Sequence, residues 1–282
     1  MLFLRYTAPR RASAAAFLAL ALVACSAAGP RSEPGAATAP AKAVGYLDKG
    51  EVPDSLVLVP PPPADGSPGM ALDQSVSVQA LALHGSARFA QATRDADLSF
   101  PAGASQFACA LGMPIDPQRT PHLYRLLERS RIDASAATRA AKNHYLRPRP
   151  FTRNGEPTCT PDDEEELRHN GSYPSGHGAI GWAWALILSE VDPARADALF
   201  ERGRNYGESR LVCNVHWQSD ILEGRHMGAA AVARLHDNAQ FRTDLAAARK
   251  EVAAARAAGR VTAAADCDAQ QAALKIRPES AL

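Results

Sequence analysis

The stretch from Asn170 to Ala185, NGSYPSGHGAIGWAWA, constrains this chain more than any other. Pro174 and Gly176 punctuate a tight turn, Ser175 suits the N-cap of a helix, and an apolar run from Ala179 to Leu188 follows at once. A helix this apolar is buried, so the other elements must be organised around it. Its entrance presents unpaired backbone N–H groups at the positive end of the helix dipole, a suitable place for an anion. His177 stands at that entrance and could hand a proton to whatever binds there.

What surrounds this helix should also be helical. Alanine is abundant and favours helix, while alternating β-branched runs are scarce, so the chain reads as all-α. Its 282 residues leave room for one or two domains with a substantial core. A formal net charge of +1 provides no bulk field for nucleic acid or an anionic membrane, and no nucleic-acid-binding fingerprint is present.

Residues 1–24 read as an export signal outside the fold. Arg5, Arg10 and Arg11 form a basic segment, and Ala14 to Ala24 is apolar but too short to span a bilayer. The ending Leu22-Val23-Ala24-Cys25 resembles a bacterial lipobox, in which Cys25 would be lipidated as the first mature residue. Ser26 in the next position resembles outer-membrane sorting, so a periplasmic protein tethered to the outer membrane by lipid alone is expected. Four further cysteines, Cys109, Cys159, Cys213 and Cys267, suit disulfides in an exported chain, with three pairings open. The lack of a Cys-x-x-Cys pair weighs against zinc or thioredoxin-like chemistry.

Residues 25–45 read as a flexible Ala/Pro/Gly/Ser tether, and Pro60 to Pro63 as an extended strap over the domain. Helical pattern starts near Asp73, with Leu81, Leu83, Ala87 and Ala90 as core candidates. Thr120 before Pro121 is a good helix start, and Leu123, Leu126 and Leu127 share a face. A further helix is expected from about Asp133 to His144, broken by Arg147-Pro148-Arg149-Pro150. Residues 152–172 read as a polar loop whose acidic run, Asp162 to Glu166, is a solvated face or helix start. Asp192-Pro193 begins another helix, and Val215-His216-Trp217 opens one from about Gln218 to His236, rich in small residues. The domain is placed at 46–258, with the 259–282 tail fading into disorder.

The chemistry-bearing residues fall in three groups: Lys142-x6-Arg149-Pro150, Pro174-Ser175-Gly176-His177, and Ser209-Arg210-x5-His216-x3-Asp220. Together they resemble the three-part signature of type 2 phosphatidic-acid phosphatases, bacterial class A non-specific acid phosphatases and vanadium haloperoxidases. The closer likeness is to the class A acid phosphatases, over roughly residues 46 to 255. It implies an all-α helical bundle in a single domain, a site among its central helices, no cofactor and no metal. It also implies small phosphate monoesters as substrates (nucleotides, sugar phosphates, aryl phosphates), a homodimer, and a Cys159–Cys213 disulfide that braces two catalytic segments; Cys109 with Cys267 is the second pairing expected.

The residue types fit that chemistry on their own terms. Phosphoryl transfer needs fixed positive charge on three equatorial oxygens and an in-line nucleophile. Lys142, Arg149 and Arg210 supply the charge, and Ser175 and the Gly176 N–H add donors. His216 would attack phosphorus, Asp220 would fix its tautomer from one helical turn away, and His177 would protonate the leaving group. Three cations would repel a divalent metal. Gly178 and Val215 depart from the family pattern, which often has a threonine and an aromatic residue there. The competing readings are a haloperoxidase, which uses the same oxyanion pocket, and a non-enzymatic oxyanion-binding lipoprotein, which leaves the histidines without a role.

Overall fold

The structure is a computed structural model that describes residues 43–259 and 266–281. The signal, Cys25 and most of the tether lie outside the described residues, and Lys42–Leu282 forms one compact unit. Among the described residues the regular structure is helical, in fourteen α-helices and two single-turn 3-10 helices, Pro161–Asp163 and Pro193–Arg195. The first five are α1 (Ser55–Leu58), α2 (Pro68–Leu81), α3 (Ala87–Ala96), α4 (Ala102–Ser105) and α5 (Ala108–Leu111). Next come α6 (Pro121–Ala136), α7 (Arg139–Tyr145), α8 (Pro150–Asn154), α9 (Glu164–Arg168) and α10 (Gly176–Val191). The chain closes with α11 (Ala196–Val212), α12 (Gln218–Leu235), α13 (Ala239–Ala257) and α14 (Cys267–Leu274).

Helix α10 is the centre, as its composition requires. None of its residues is fully exposed, and α11, α12, α6 and α13 pack around it. Trp184 lies wholly inside and donates its indole N–H to the Leu127 carbonyl of α6 at 3.0 Å. Small residues set the spacing between backbones. A Cβ on Gly203 would stand 2.5 Å from the Ala185 Cβ, and one on Gly228 would stand 2.4 Å from the Ala179 carbonyl. Neither α11 nor α12 could lie so close to α10 with larger residues at those positions. Leu123, Leu126 and Leu127 are buried together, and the Pro60 carbonyl accepts from the Tyr173 hydroxyl at 2.6 Å, fixing the proline strap.

Several boundaries differ from the sequence reading. Helix α6 runs through Asp133, which starts no new helix. Its buried carboxylate accepts the Tyr46 N–H at 2.9 Å and the Leu47 N–H at 3.1 Å. Thr120 does not cap α6 with its side chain; Glu251 of α13 accepts the Leu123 N–H at 2.9 Å instead. Ala87 and Ala90 are exposed, because α3 turns its polar face inward. There Asp95 is bonded by Arg202, Ser209 and Gln91. The tail also departs from expectation, because residues beyond 265 form α14. The Cys109–Cys267 disulfide ties it to α5, and Arg277 pairs with the buried Glu208 of α11 at 2.8 Å. The second disulfide joins Cys159 to Cys213. Among the described residues no helix is long and apolar enough to cross a membrane.

Candidate active site

The turn before α10 forms as its residue types require. Ser175 is the N-cap, its hydroxyl accepting the Gly178 N–H at 3.1 Å, while its own N–H donates to the Asp220 carbonyl at 2.8 Å. The first α10 amides, those of Gly176 and His177, therefore lie beside the start of α12.

His216 sits in the link between α11 and α12, with 4 % of its surface exposed. Its Nδ1 lies 3.2 Å from Asp220 Oδ2, which also accepts the Trp217 N–H at 2.8 Å. The four-residue spacing therefore does not work as one turn along a helical face. His216 precedes α12, and Asp220 folds back from its third position, serving the helix start and the imidazole together. An ionised carboxylate only accepts, so the proton is on Nδ1 and Nε2 keeps its lone pair. That Nε2 stands 3.3 Å from Arg149 Nη1.

Three cations surround this imidazole. Lys142, near the end of α7, donates Nζ to the Gly171 carbonyl at 2.8 Å. Arg149, just before α8, is held by the carbonyls of Val215 at 2.8 Å and Leu167 at 3.0 Å and by the Asn170 side chain. Arg210, near the end of α11, is buried with its Nε and Nη1 hydrogens unpartnered. Burial and the Arg149 charge push Lys142 down to about 7. Burial, and then the charge of Arg210, push Arg149 down to about 10. Burial also pushes Arg210 down to about 10, against the pull of Tyr206, Asp163 and Asp95. His216 is held well below the ordinary histidine range by burial and then by Arg149, Lys142 and Arg210, so all three cations act on it.

His177, the second residue of α10, points its Nε2 at the Ala96 carbonyl of α3, 2.9 Å away. A carbonyl only accepts, so Nε2 carries a hydrogen and Nδ1 is the nitrogen left for proton transfer. Burial and the Arg210 charge hold this histidine low as well. Its ring stacks on Tyr206 with centroids 6.1 Å apart. The acidic run stays exposed on and before α9, apart from the half-buried Glu164. The Glu166 charge reaches Arg149, and that of Asp163 reaches Arg210.

All eight chemistry-bearing residues named from the sequence thus belong to one neighbourhood, at the N-terminal ends of α10 and α12. Two participants escaped the sequence reading. The Ala96 carbonyl is backbone and leaves no residue-type signal. Arg147 was read only as part of a helix break, yet it is buried against Asp220, with Nη1 to Oδ1 at 2.6 Å. An arginine two residues before Arg149, flanked by proline, was the signal available for it.

Three cations thus lie around two histidines and a carboxylate, and comparison with known proteins identifies the family. The PAP2 superfamily matches residues 132–244, which hold every one of these side chains. The chain is 44% identical to a non-specific acid phosphatase of Providencia stuartii over 209 residues, 74% of this chain and 84% of the relative. It is 43% identical to an acid phosphatase of Zymomonas mobilis subsp. mobilis, covering 72% of this chain and 77% of that one. It is 42% identical to a non-specific acid phosphatase of Salmonella typhimurium, covering 71% and 80%. By its helical fold, its cationic pocket and these relatives, the chain belongs to the PAP2 superfamily and, within it, to the broad-specificity acid phosphatases that hydrolyse phosphoric monoesters.

Proposed function

We propose that this acid phosphatase works through a phosphohistidine on His216. The observation that carries the reading is Arg210, whose buried, unpartnered guanidinium hydrogens call for an oxyanion beside the imidazole. Arg210, Arg149, Lys142, the Ser175 hydroxyl and the Gly176 N–H take the phosphoryl oxygens. His216 Nε2 forms the N–P bond as the ester P–O bond breaks, and Asp220 stabilises the resulting imidazolium. His177 Nδ1 gives its proton to the leaving alkoxide. Water then attacks phosphorus, His177 Nδ1 takes the water proton, and the N–P bond breaks to release phosphate.

The low proton affinity of His177 fits this cycle. Burial depresses it first; of the charges that add to this, those of Arg210 and Arg149 belong to residues the substrate phosphate neutralises, so substrate binding raises the histidine towards its protonated form. Nucleotides, sugar phosphates and aryl phosphates share the monoester group this pocket holds. An exported protein, lipidated at Cys25 and held at the outer membrane, completes the reading.

Two variants should fail differently. His216→Ala removes the atom that bonds phosphorus and should nearly abolish turnover of every substrate. His177→Ala should lose ~10²–10⁴-fold on alkyl phosphates, the scale of general acid assistance, and much less on p-nitrophenyl phosphate, whose phenolate leaves unaided. Acid quenching should trap an acid-labile, alkali-stable phosphoryl label. Substantial activity in His216→Ala, or label on a serine, overturns the assignment.

A further inference from the structure

The Asp220–His216 pair does not stand alone. Asp220 is wholly buried, and its second oxygen, Oδ1, accepts from Arg147 Nη1 at 2.6 Å. The other arm of the same guanidinium, Nη2, donates to Asp73 Oδ2 of α2 at 2.7 Å. Asp73 is buried too, and accepts the Ser219 N–H at 2.8 Å and the Ser219 hydroxyl at 2.6 Å, in the first turn of α12. The Arg147 plane is fixed between aromatic rings, 5.5 Å from the Trp217 centroid and 5.9 Å from that of Tyr173. A continuous buried chain therefore runs Asp73, Arg147, Asp220, His216.

We propose that Arg147 is a positioning residue for the phosphatase reaction, aligning Asp220 on His216 and setting the charge behind the nucleophile. The orientation follows from the contacts. With Oδ1 taken by Arg147, the lone pairs of Oδ2 serve only the Trp217 N–H and His216 Nδ1. The carboxylate cannot rotate without breaking a charge-assisted hydrogen bond in a buried site. The charge follows from a sum. Asp73, Arg147 and Asp220 carry a net single negative charge beside a neutral His216. When Nε2 bonds phosphorus and the imidazole becomes cationic, the buried group as a whole becomes neutral. Without Arg147 the buried carboxylates of Asp73 and Asp220 would have no cation between them, an arrangement that is costly in a low-dielectric interior.

This role rests on the phosphohistidine reading, but its test does not share that reading's failure. The loss caused by altering Arg147 should pass through Asp220. Arg147→Gln should lower kcat on the order of 10–100-fold, the scale carried by hydrogen-bonding partners behind metal-bound histidines, with KM for p-nitrophenyl phosphate little changed. Arg147→Lys keeps the charge but cannot bridge both carboxylates, so its kcat should lie between wild type and Arg147→Gln. In an Asp220→Asn background either substitution should cost less than about threefold more, because coupled residues do not add.

Thermal melts identify a variant that fails to fold; Arg147→Lys against Asp220→Asn then carries the test alone. Losses that multiply in the double variants, or that fall on KM with kcat intact, overturn the proposal. If His216→Ala stays active the nucleophile is misassigned, whereas the coupling between positions 147 and 220 is read without reference to which atom attacks.

Discussion

Lys142 should give the pocket a titratable affinity for oxyanions. Its ammonium is held down to about 7 by burial and the nearby Arg149, against a partial counter from Asp220. The direction of the pH effect follows. A lysine is charged below its pKa, so in the free enzyme Lys142 carries its charge below about pH 7 and loses it above. An anion favours the charged form, so the bound enzyme holds this proton to higher pH, and affinity falls between the two values. The full drop equals the interaction between the ammonium and the anion. A hydrogen bond to a charged group contributes ~1.5–3 kcal/mol, which corresponds to roughly 10- to 150-fold in affinity.

Sulfate is a suitable probe, because its own charge stays constant across the range. Its competitive inhibition constant against p-nitrophenyl phosphate, followed from about pH 6 to 9, should weaken above about pH 7. Lys142→Met should be weaker by the same factor already at pH 6, with no break near neutrality. Lys142→Arg, permanently charged, should keep tight inhibition to the alkaline end. A wild-type profile flat through this range, or a Lys142→Met profile with the break still in place, would refute the reasoning.

Other expectations concern the frame and its attachment. The Cys159–Cys213 disulfide closes 54 residues and should contribute ~4 kcal/mol in the chain-entropy account. Replacing both cysteines with serine should lower Tm by roughly 10 °C and loosen Arg149 and Arg210, seen as a rise in KM; an unchanged melt would exclude that bracing role. Cys25→Ser should free the protein from the membrane fraction or stall its processing, and membrane association identical to wild type would remove the lipid anchor. Light scattering of the purified mature chain should give a dimer mass, and a monomer mass would dismiss the homodimer implied by the family resemblance.

The parts legible in the sequence were those whose chemistry is carried by side-chain type and spacing. The apolar run after Ser175 could only be an interior helix, and the small residues of α12 announced close packing against it, whereas Gly203 of α11 was not singled out. Lys142, Arg149, Arg210 and the two histidines could be singled out by residue type and order, and the fold gathers them into one neighbourhood. Spacing misled at His216 and Asp220, where four residues suggested a helical turn but the chain bends at Trp217 and the carboxylate reaches back. The cap of α6 was hidden because Glu251 comes from a helix more than a hundred residues away. Alternation of apolar and polar residues also fails on α3, whose buried face is Arg88, Gln91 and Asp95 with Ala92 as its one apolar member. A polar interior is set by partners on other elements, which no local pattern displays.

The returning C-terminal segment has a consequence for anyone who would shorten or fuse this chain. Trimming at the boundary suggested by composition, near Gly259, would look harmless, since it removes an alanine-rich end. It would also take away Arg277, whose Nε and Nη2 hold the two oxygens of Glu208 at 2.8 and 2.9 Å, only two residues before Arg210. Arg225 at 3.1 Å and the more distant Arg204 at 3.8 Å would then be left to balance a carboxylate that is 1 % exposed. An affinity tag or partner domain is therefore better appended after Leu282 than substituted for the last twenty residues. The end of the chain is a clasp on α11, the helix that carries the buried Arg210.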